Sequence, residues 1–427
     1  MRFLLLILAS AVALSNAQLP TLYEYYTSGG VTEGLQALST GFTLNKLPIT
    51  LYSAAIHYFR VPPAYWRDRL RKARAAGINT IETYVPWNLH EPRLGEFDFG
   101  ASGNDLSFML DVRSFVQMAQ EEDMFVIFRP GPYICSEWDF GGLPSWLLRY
   151  EGIQLRTSDP IFLGHVKNYL DNLLPLVSDL AFTKGGPIIA MQVENEYGGY
   201  GLPLTSRDTA YLIYIRDLYV NHSMDSLYFT SDSPALNGDI GAIPGELQTA
   251  NFDNNPAEQF DALLTLQPDK PLMAMEYWTG WFDHWMQPRH TGGNTPAEFA
   301  EYLSVIFSYN GSVNFYMFHG GTSFGFMNGA NVFPVFPFYA ADVSSYDYSA
   351  PLSEAADYTE KYNYARDLIA LDNKVQTLIP QQPPETIKTA YPIVQVTEYI
   401  PIFDVLAQVV IIITRGMVVR LYKLFAV

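Results

Sequence analysis

The sequence predicts a (β/α)8 barrel, and three observations carry that expectation. Eight short apolar runs recur between residues 49 and 318, most of them followed by a segment with helical periodicity. Several runs are apolar throughout, as parallel strands buried on both faces should be. The alternation covers about 300 residues, which suits a closed barrel better than an open doubly wound sheet. No Gly-x-Gly-x-x-Gly or P-loop follows the first strands, which weakens a dinucleotide-binding alternative.

The elements follow in order. After a polar, Tyr- and Gly-rich lead (19–45), residues 49–56 read as the first strand. Residues 62–76 are helical, with Trp66, Leu70 and Ala73 on one face and Gly77 as the stop. A strand at 78–85 precedes a helix at 106–120, where Val112, Phe115, Val116 and Ala119 recur at helical spacing. Strand 124–128, helix 161–180 and strand 187–194 come next. The second half repeats the alternation: helix 211–219, strand 227–230, strand 247–252, helix 256–266 and strand 272–277. Thr295, Pro296 and Glu298 open a further helix with an N-cap, an N1 proline and a capping-box acid. Strand 313–318 and helix 355–371 close the series.

Composition bounds the rest. The 427 residues are 48% hydrophobic and 16% charged, which describes a folded chain with a large core. A net charge of −18 argues against a nucleic-acid partner, which would call for a basic surface. Residues 1–17 read as a secretory signal: Arg2 is the basic flank, 3–14 the apolar stretch, and Ser15-Asn16-Ala17 the cleavage site. That apolar stretch is too short for a comfortable membrane span, so no stable membrane insertion is expected. Two sequons begin at Asn221 and Asn310, and the single cysteine, Cys135, cannot form an internal disulfide. The tail changes character at Pro380-Gln381-Gln382-Pro383-Pro384, a linker signal. Beyond it, 393–396 and 400–403 read as short strands, and 380–427 as a linker with an incomplete β-domain. The barrel domain is then 18–379.

Catalytic groups of such barrels come from the C-terminal ends of the strands. Here one run ends Val193-Glu194-Asn195-Glu196-Tyr197, another ends Glu276-Tyr277-Trp278, and a third leads to Cys135-Ser136-Glu137-Trp138. Singly, each could be a satisfied loop polar group. Acids at three strand ends, each beside an aromatic, are hard to explain as structure, because buried carboxylates without a task are costly. Two carboxylates facing each other across an aromatic-lined pocket suggest glycoside hydrolysis. At about 5–5.5 Å apart, one attacks the anomeric carbon while the other protonates the leaving oxygen. No metal or other cofactor is implied, since no His-rich ligand spacing occurs. His57, His90, His284 and His319 read as supporting or structural groups.

The run from Gly185-Gly186-Pro187 through Gln192-Val193-Glu194-Asn195-Glu196-Tyr197 resembles the signature of glycoside hydrolase family 35, the acid β-galactosidases. Ile56-His57-Tyr58, Thr83-Tyr84-Val85-Pro86-Trp87-Asn88, Arg129-Pro130-Gly131-Pro132-Tyr133 and Ser345-Tyr346-Asp347-Tyr348 extend the likeness over 45–371. The resemblance implies a retaining double displacement on terminal β-galactosides of glycans or oligosaccharides. It makes Glu196 the acid/base and Glu276 the nucleophile. It also implies that Asn195 contacts the sugar 2-hydroxyl, and that Tyr84, Glu137 and Tyr348 bind galactose. Tyr316 and Trp281 would be further walls, and Glu194 a supporting acid paired to an arginine. The resemblance leaves lysosomal and extracellular destinations open and is compatible with a homodimer. Two departures are Ser349, where relatives commonly carry Asp, and the absence of a cysteine pair after the signature. A non-catalytic galactoside-binding relative is the alternative reading.

Overall fold

The computed structural model describes residues 19–201, 207–288, 293–333 and 338–410. The expected leader at 1–17 lies outside them. Two compact units divide at Thr386.

All eight expected strands form in the first unit, and they close into a parallel barrel. They are β4 (Tyr52–Ile56), β5 (Thr80–Tyr84), β6 (Phe125–Arg129), β7 (Ile188–Gln192), β8 (Leu227–Asp232), β9 (Leu247–Phe252), β10 (Met273–Trp278) and β11 (Ser312–His319). Each pairs with its neighbour in sequence, and β11 returns to β4 through Val313 beside Tyr52. The strands are buried from end to end on β4, β5, β6, β7 and β11, which accounts for the largely apolar runs of β4, β6 and β7 in the sequence.

The polar lead has more structure than its composition suggests. It holds a capped helix, α1 (Leu22–Thr27), and a three-stranded antiparallel sheet, β1 (Leu35–Leu38), β2 (Gly41–Leu44) and β3 (Leu47–Ile49). Leu22, Tyr26, Leu35, Phe42 and Leu44 pack with Phe125, Leu247 and Met273, residues at or near the starts of barrel strands. The lead therefore seals the N-terminal end of the barrel. The strand expected over 49–56 is accordingly two pieces, one finishing this sheet and one opening the barrel.

Helices flank the strands with boundaries that local chemistry explains. α2 spans Pro63–Ala75, and α3 starts at Val112, not at 106, because the Asp111 side chain accepts from Ser114 N at 2.9 Å and caps it. α4 (Pro160–Leu173) ends short of residue 180, since Pro175 has no N–H to continue the helical ladder, and a 3-10 turn follows at Leu174–Leu176. α5 is Thr209–Asn221 and α6 is Pro256–Leu266. α7 (Pro296–Ser308) carries the expected capping box between Thr295 and Glu298, and α8 runs Glu360–Asp372. An unanticipated hairpin, β12 (Ala330–Phe333) with β13 (Phe338–Ala341), follows β11.

The tail corrects an expectation. Among its described residues no strand forms: 393–396 has no ladder partner, and 400–403 runs into a helix, α9 (Ile402–Val410). A strand is stable only when another strand satisfies its backbone groups. A helix satisfies them internally, and here Pro401 O takes the N–H of Asp404 at 3.0 Å.

Candidate active site

Tyr84, Glu137, Asn195, Glu196, Glu276, Trp281, Tyr316 and Tyr348, catalytic and sugar-binding candidates from the sequence, all line one open cleft. The barrel brings them together because each lies in the C-terminal half of a strand or after its C-terminal end.

Glu276, near the end of β10, is 5% exposed and surrounded by donors. Arg129 Nη2 donates to its Oε1 at 2.6 Å, Tyr84 OH lies 2.8 Å from the same atom, and Trp278 Nε1 donates to Oε2 at 3.0 Å. Arg129 is wholly buried, and its guanidinium stacks 3.8 Å from the Tyr84 ring. Both carboxylate oxygens therefore face hydrogen-bond donors.

Asn195 shares the same donors. Its Oδ1 receives Arg129 Nη2 at 2.8 Å, Gln192 Nε2 at 2.9 Å and faces Tyr84 OH at 2.7 Å. With the carbonyl occupied, the amide N–H₂ is the side left to donate into the cleft.

Glu196 is treated differently. A single donor, Asn251 Nδ2 at 2.9 Å, reaches its Oε1. Desolvation in the cleft, and then the Glu276 charge, push its carboxyl up to about 8. Its backbone sits at φ 46°, a left-handed conformation unfavourable for a side chain, and Glu196 N is held by Ser231 O at 3.1 Å. The strand end thus pays about 1 kcal/mol or more to aim this side chain.

Glu194 points away from the cleft. Arg156 grips it in a fork, Nε to Oε1 at 2.9 Å and Nη2 to Oε2 at 2.7 Å. Tyr211 OH and the Asn195 N–H complete its shell at 2.9 and 2.7 Å. Arg156 also donates to Asn195 O at 2.7 Å and lies between the rings of Tyr133 and Tyr200, at 3.7 and 4.3 Å. The anticipated arginine partner exists, and it anchors the backbone that carries Asn195 and Glu196.

Glu137 stands on three successive left-handed residues, Cys135, Ser136 and Glu137, at φ 54°, 63° and 46°. Arg60 holds this segment. It is buried, donates to the Ser136 hydroxyl at 2.7 Å and to Ser136 O, and stacks 3.8 Å from the Tyr346 ring. Tyr346 OH donates to Glu137 Oε2, and desolvation pushes the Glu137 carboxyl up to about 7. Tyr346 and Tyr348 reach the rim because glycine ends the strands beneath them. A Cβ on Gly280 would fall 1.7 Å from Tyr348 O, and one on Gly320 1.5 Å from Tyr346 O. Tyr316 meets Tyr348 edge-on at 5.7 Å, and Trp281 lies 6.4 Å from Tyr348.

Burial holds three of the histidines neutral: His90 is lowered to about 4, His319 to about 3, and His57 well below its usual value. They suit structural roles. Among the described residues, no group of three or more His, Cys, Asp or Glu could hold a metal ion. No helix there is long and apolar enough to cross a membrane.

Arg129, Trp278, Asn251, Arg60 and Arg156 carry this geometry, yet sequence reasoning assigned none of them a site role. Arg129 opened a quoted motif and Trp278 directly followed a strand end. Asn251, Arg60 and Arg156 gave no comparable signal.

Residues 41–371, which contain the whole barrel, match the model of glycosyl hydrolases family 35. The chain belongs to that family. It is 44% identical over 381 residues to beta-galactosidase-1-like protein 3 of Homo sapiens, a match covering 88% of this chain and 55% of that protein. A beta-galactosidase of Xanthomonas manihotis is 44% identical across 93% of this chain and 63% of its own length. That of Canis lupus familiaris is 45% identical across 82% of this chain and 50% of its own. This family 35 chain thus spans roughly half to three-fifths of the length of these curated relatives. Among solved structures, a GH5_18 protein from Streptomyces cattleya aligns with TM-score 0.54 at 14% identity, covering 78% of this chain and 82% of that one. A beta-galactosidase from Marinomonas ef1 aligns with TM-score 0.52 at 12% identity, covering 75% and 59%. Likeness at that identity concerns the fold alone.

Proposed function

We propose that this family 35 chain is a retaining exo-glycosidase that releases terminal non-reducing β-D-galactose by double displacement. The observation that carries the reading is the opposite treatment of two carboxylates in one cleft. Glu276 has donors on both oxygens, and Glu196 has burial and a facing negative charge. The first environment suits a nucleophile and the second a general acid.

Glu276 attacks the anomeric carbon while Glu196 gives its proton to the glycosidic oxygen. The carbon–oxygen bond breaks, and the aglycone leaves as an alcohol. Glu196, now a carboxylate, takes a proton from water. That oxygen attacks the same carbon and displaces Glu276, which restores both groups. Two inversions give net retention. Asn195 offers its amide to the sugar 2-hydroxyl. Glu137 reads further hydroxyls through the oxygen that Tyr346 does not occupy, and Tyr84, Tyr316 and Tyr348 complete the galactose pocket.

The curated relatives named beta-galactosidase support the choice of sugar. The leader at 1–17 supports a secretory route, and Asn221 and Asn310 of the two sequons are both exposed, as acceptor asparagines must be. The test is the first sugar released from an aryl β-galactoside, followed by NMR before mutarotation. The expected product is β-galactose, with little turnover of aryl β-glucosides or β-glucosaminides. First release of the α-anomer would sink the mechanism, and preference for another sugar would sink the substrate. Galactose binding without turnover would favour the non-catalytic alternative.

A further inference from the structure

We propose that Glu82, which no step above uses, is a positioning residue that commits Arg129 to Glu276 by carrying a proton. The inference rests on the reading of Glu276 as nucleophile.

Glu82 lies two residues before Tyr84 on β5, so both side chains point to the same face of the strand. It is 0% exposed. A side chain inside a barrel layer is ordinarily apolar, and an acid there must earn its place through its partners. The charged groups facing Glu82 are Arg129 from β6 and Glu276 from β10, with the Tyr84 phenol above it on its own strand. Asn314 from β11 is a neutral donor, its Nδ2 3.4 Å from Glu82 Oε2. One guanidinium therefore stands between two carboxyl groups.

The guanidinium is not shared evenly. Its Nη2 is 2.6 Å from Glu276 Oε1, whereas its Nη1 is 3.5 Å from Glu82 Oε1. Glu82 Oε1, Arg129 Nη1 and Arg129 Nε make no hydrogen bond. An ionised carboxylate facing a guanidinium closes to about 2.7–2.9 Å. The open contact leaves Arg129 Nη1 uncommitted, so that a neutral Glu82 gives the whole charge of Arg129 to Glu276. Burial acts in the same direction, pushing the Glu82 carboxyl up to about 7 against the opposing pull of Arg129.

Ionisation of Glu82 above neutrality supplies a second anion that competes for Nη1 and loosens the grip on Glu276. The loss falls on kcat and leaves KM unchanged, because Glu82 does not line the cleft. Glu82→Gln reproduces the shape of the neutral acid and cannot ionise.

The experiment uses the full chain and an aryl β-galactoside, with kcat and KM measured from pH 5 to 8.5 for the wild type and E82Q. The wild-type decline in kcat toward alkaline pH contains two parts, one from Glu196 and one from Glu82. E82Q should lose the second part, which makes its decline about threefold shallower, half a pKa unit's worth, at constant KM. A profile superimposable on the wild type, or a kcat lowered by one factor at every pH, overturns the proposal.

Two further readings need no turnover. E82Q should melt at the wild-type temperature at pH 6, since a neutral group replaces a neutral group. A large loss of stability there would mean that an ionised Glu82 had been balancing Arg129, and would overturn the proposal. The infrared difference between the two proteins at pH 6 should contain the band of one protonated carboxyl group, and its absence overturns the proposal too. A wild type without galactosidase turnover would defeat the proposed function, while melting and infrared spectra still decide the proton on Glu82.

Discussion

Two strand ends of this barrel receive a carboxylate, and they receive it in opposite ways. At β10, Glu276 is clasped by Arg129, Tyr84 and Trp278, so its negative charge is compensated before any substrate arrives. After β7, Glu196 has one amide donor and a repelling carboxylate opposite, so its proton is retained. The same β7 end contains a third treatment: Glu194, two residues earlier, is neutralised by Arg156 and turned into an anchor. The lesson is that residue type and strand position are shared, and the surrounding donors give each acid a different environment.

The sharpest way to break this contrast is to remove each carboxylate charge in turn. Glu276→Gln should lower turnover of an aryl β-galactoside on the order of 10⁴-fold or more, since no covalent intermediate can form. Retention of most of the rate would place the nucleophile elsewhere. Glu196→Gln should cost about 10²–10⁴-fold, and the loss should be smallest for aryl groups that leave without protonation. Azide, which needs no general base, should restore part of the rate of this variant and none of the rate of Glu276→Gln. Formation of the retained β-galactosyl azide by the Glu276 variant, and not by the Glu196 variant, would reverse the two assignments.

Arg156→Leu tests the third treatment. It strands the Glu194 carboxylate, 1% exposed, with only Tyr211 and a backbone N–H as donors. Urea unfolding should show a loss of about 3–5 kcal/mol, the usual result of breaking a buried ion pair from one side. A loss under about 1 kcal/mol, the range of exposed pairs, would contradict the anchoring role.

The remaining expected effect is on stability against pH, and its sign follows from the raised carboxyls. Glu196 is pushed up to about 8, and Glu137 and Asp232 to about 7, so the folded chain keeps protons that the unfolded chain releases near its ordinary carboxylate range. Stability from these groups is full below about pH 4 and is lost as pH rises through 7 to 8. Melting temperature, measured from pH 5 to 8.5, should therefore fall toward the alkaline end. Activity should fall there as well, once Glu196 loses the proton it donates. A melting temperature that rises across this window would mean that these acids are ionised in the folded state.

Much of this was legible in the sequence. Apolar runs gave the strands because barrel strands are buried on both faces, and Glu194, Asn195, Glu196 and Glu276 stood out because acids end those runs. What escaped is what only closure creates. Arg129 and Glu276 are 147 positions apart, Arg156 and Glu194 are 38, and Asn251 and Glu196 are 55. No local pattern couples them. The lead before the barrel was read as polar because its apolar residues are spaced along short strands and one short helix; packed together, they form the barrel floor. The tail misled in the other direction. Its β-branched residues favour strands, yet strand propensity has no effect without a partner, and residues 402–410 form a helix.

The division of labour between Glu276 and Glu196 is tested most directly by trapping the covalent intermediate. A β-galactosyl fluoride carrying fluorine at the 2-position slows both steps by destabilising positive charge at the anomeric carbon, while the fluoride leaves readily without acid help. Incubation with the full chain, digestion and peptide mass spectrometry should find one fluorogalactosyl group, attached to Glu276. A label on Glu196, or turnover with no label at any carboxylate, would contradict the account.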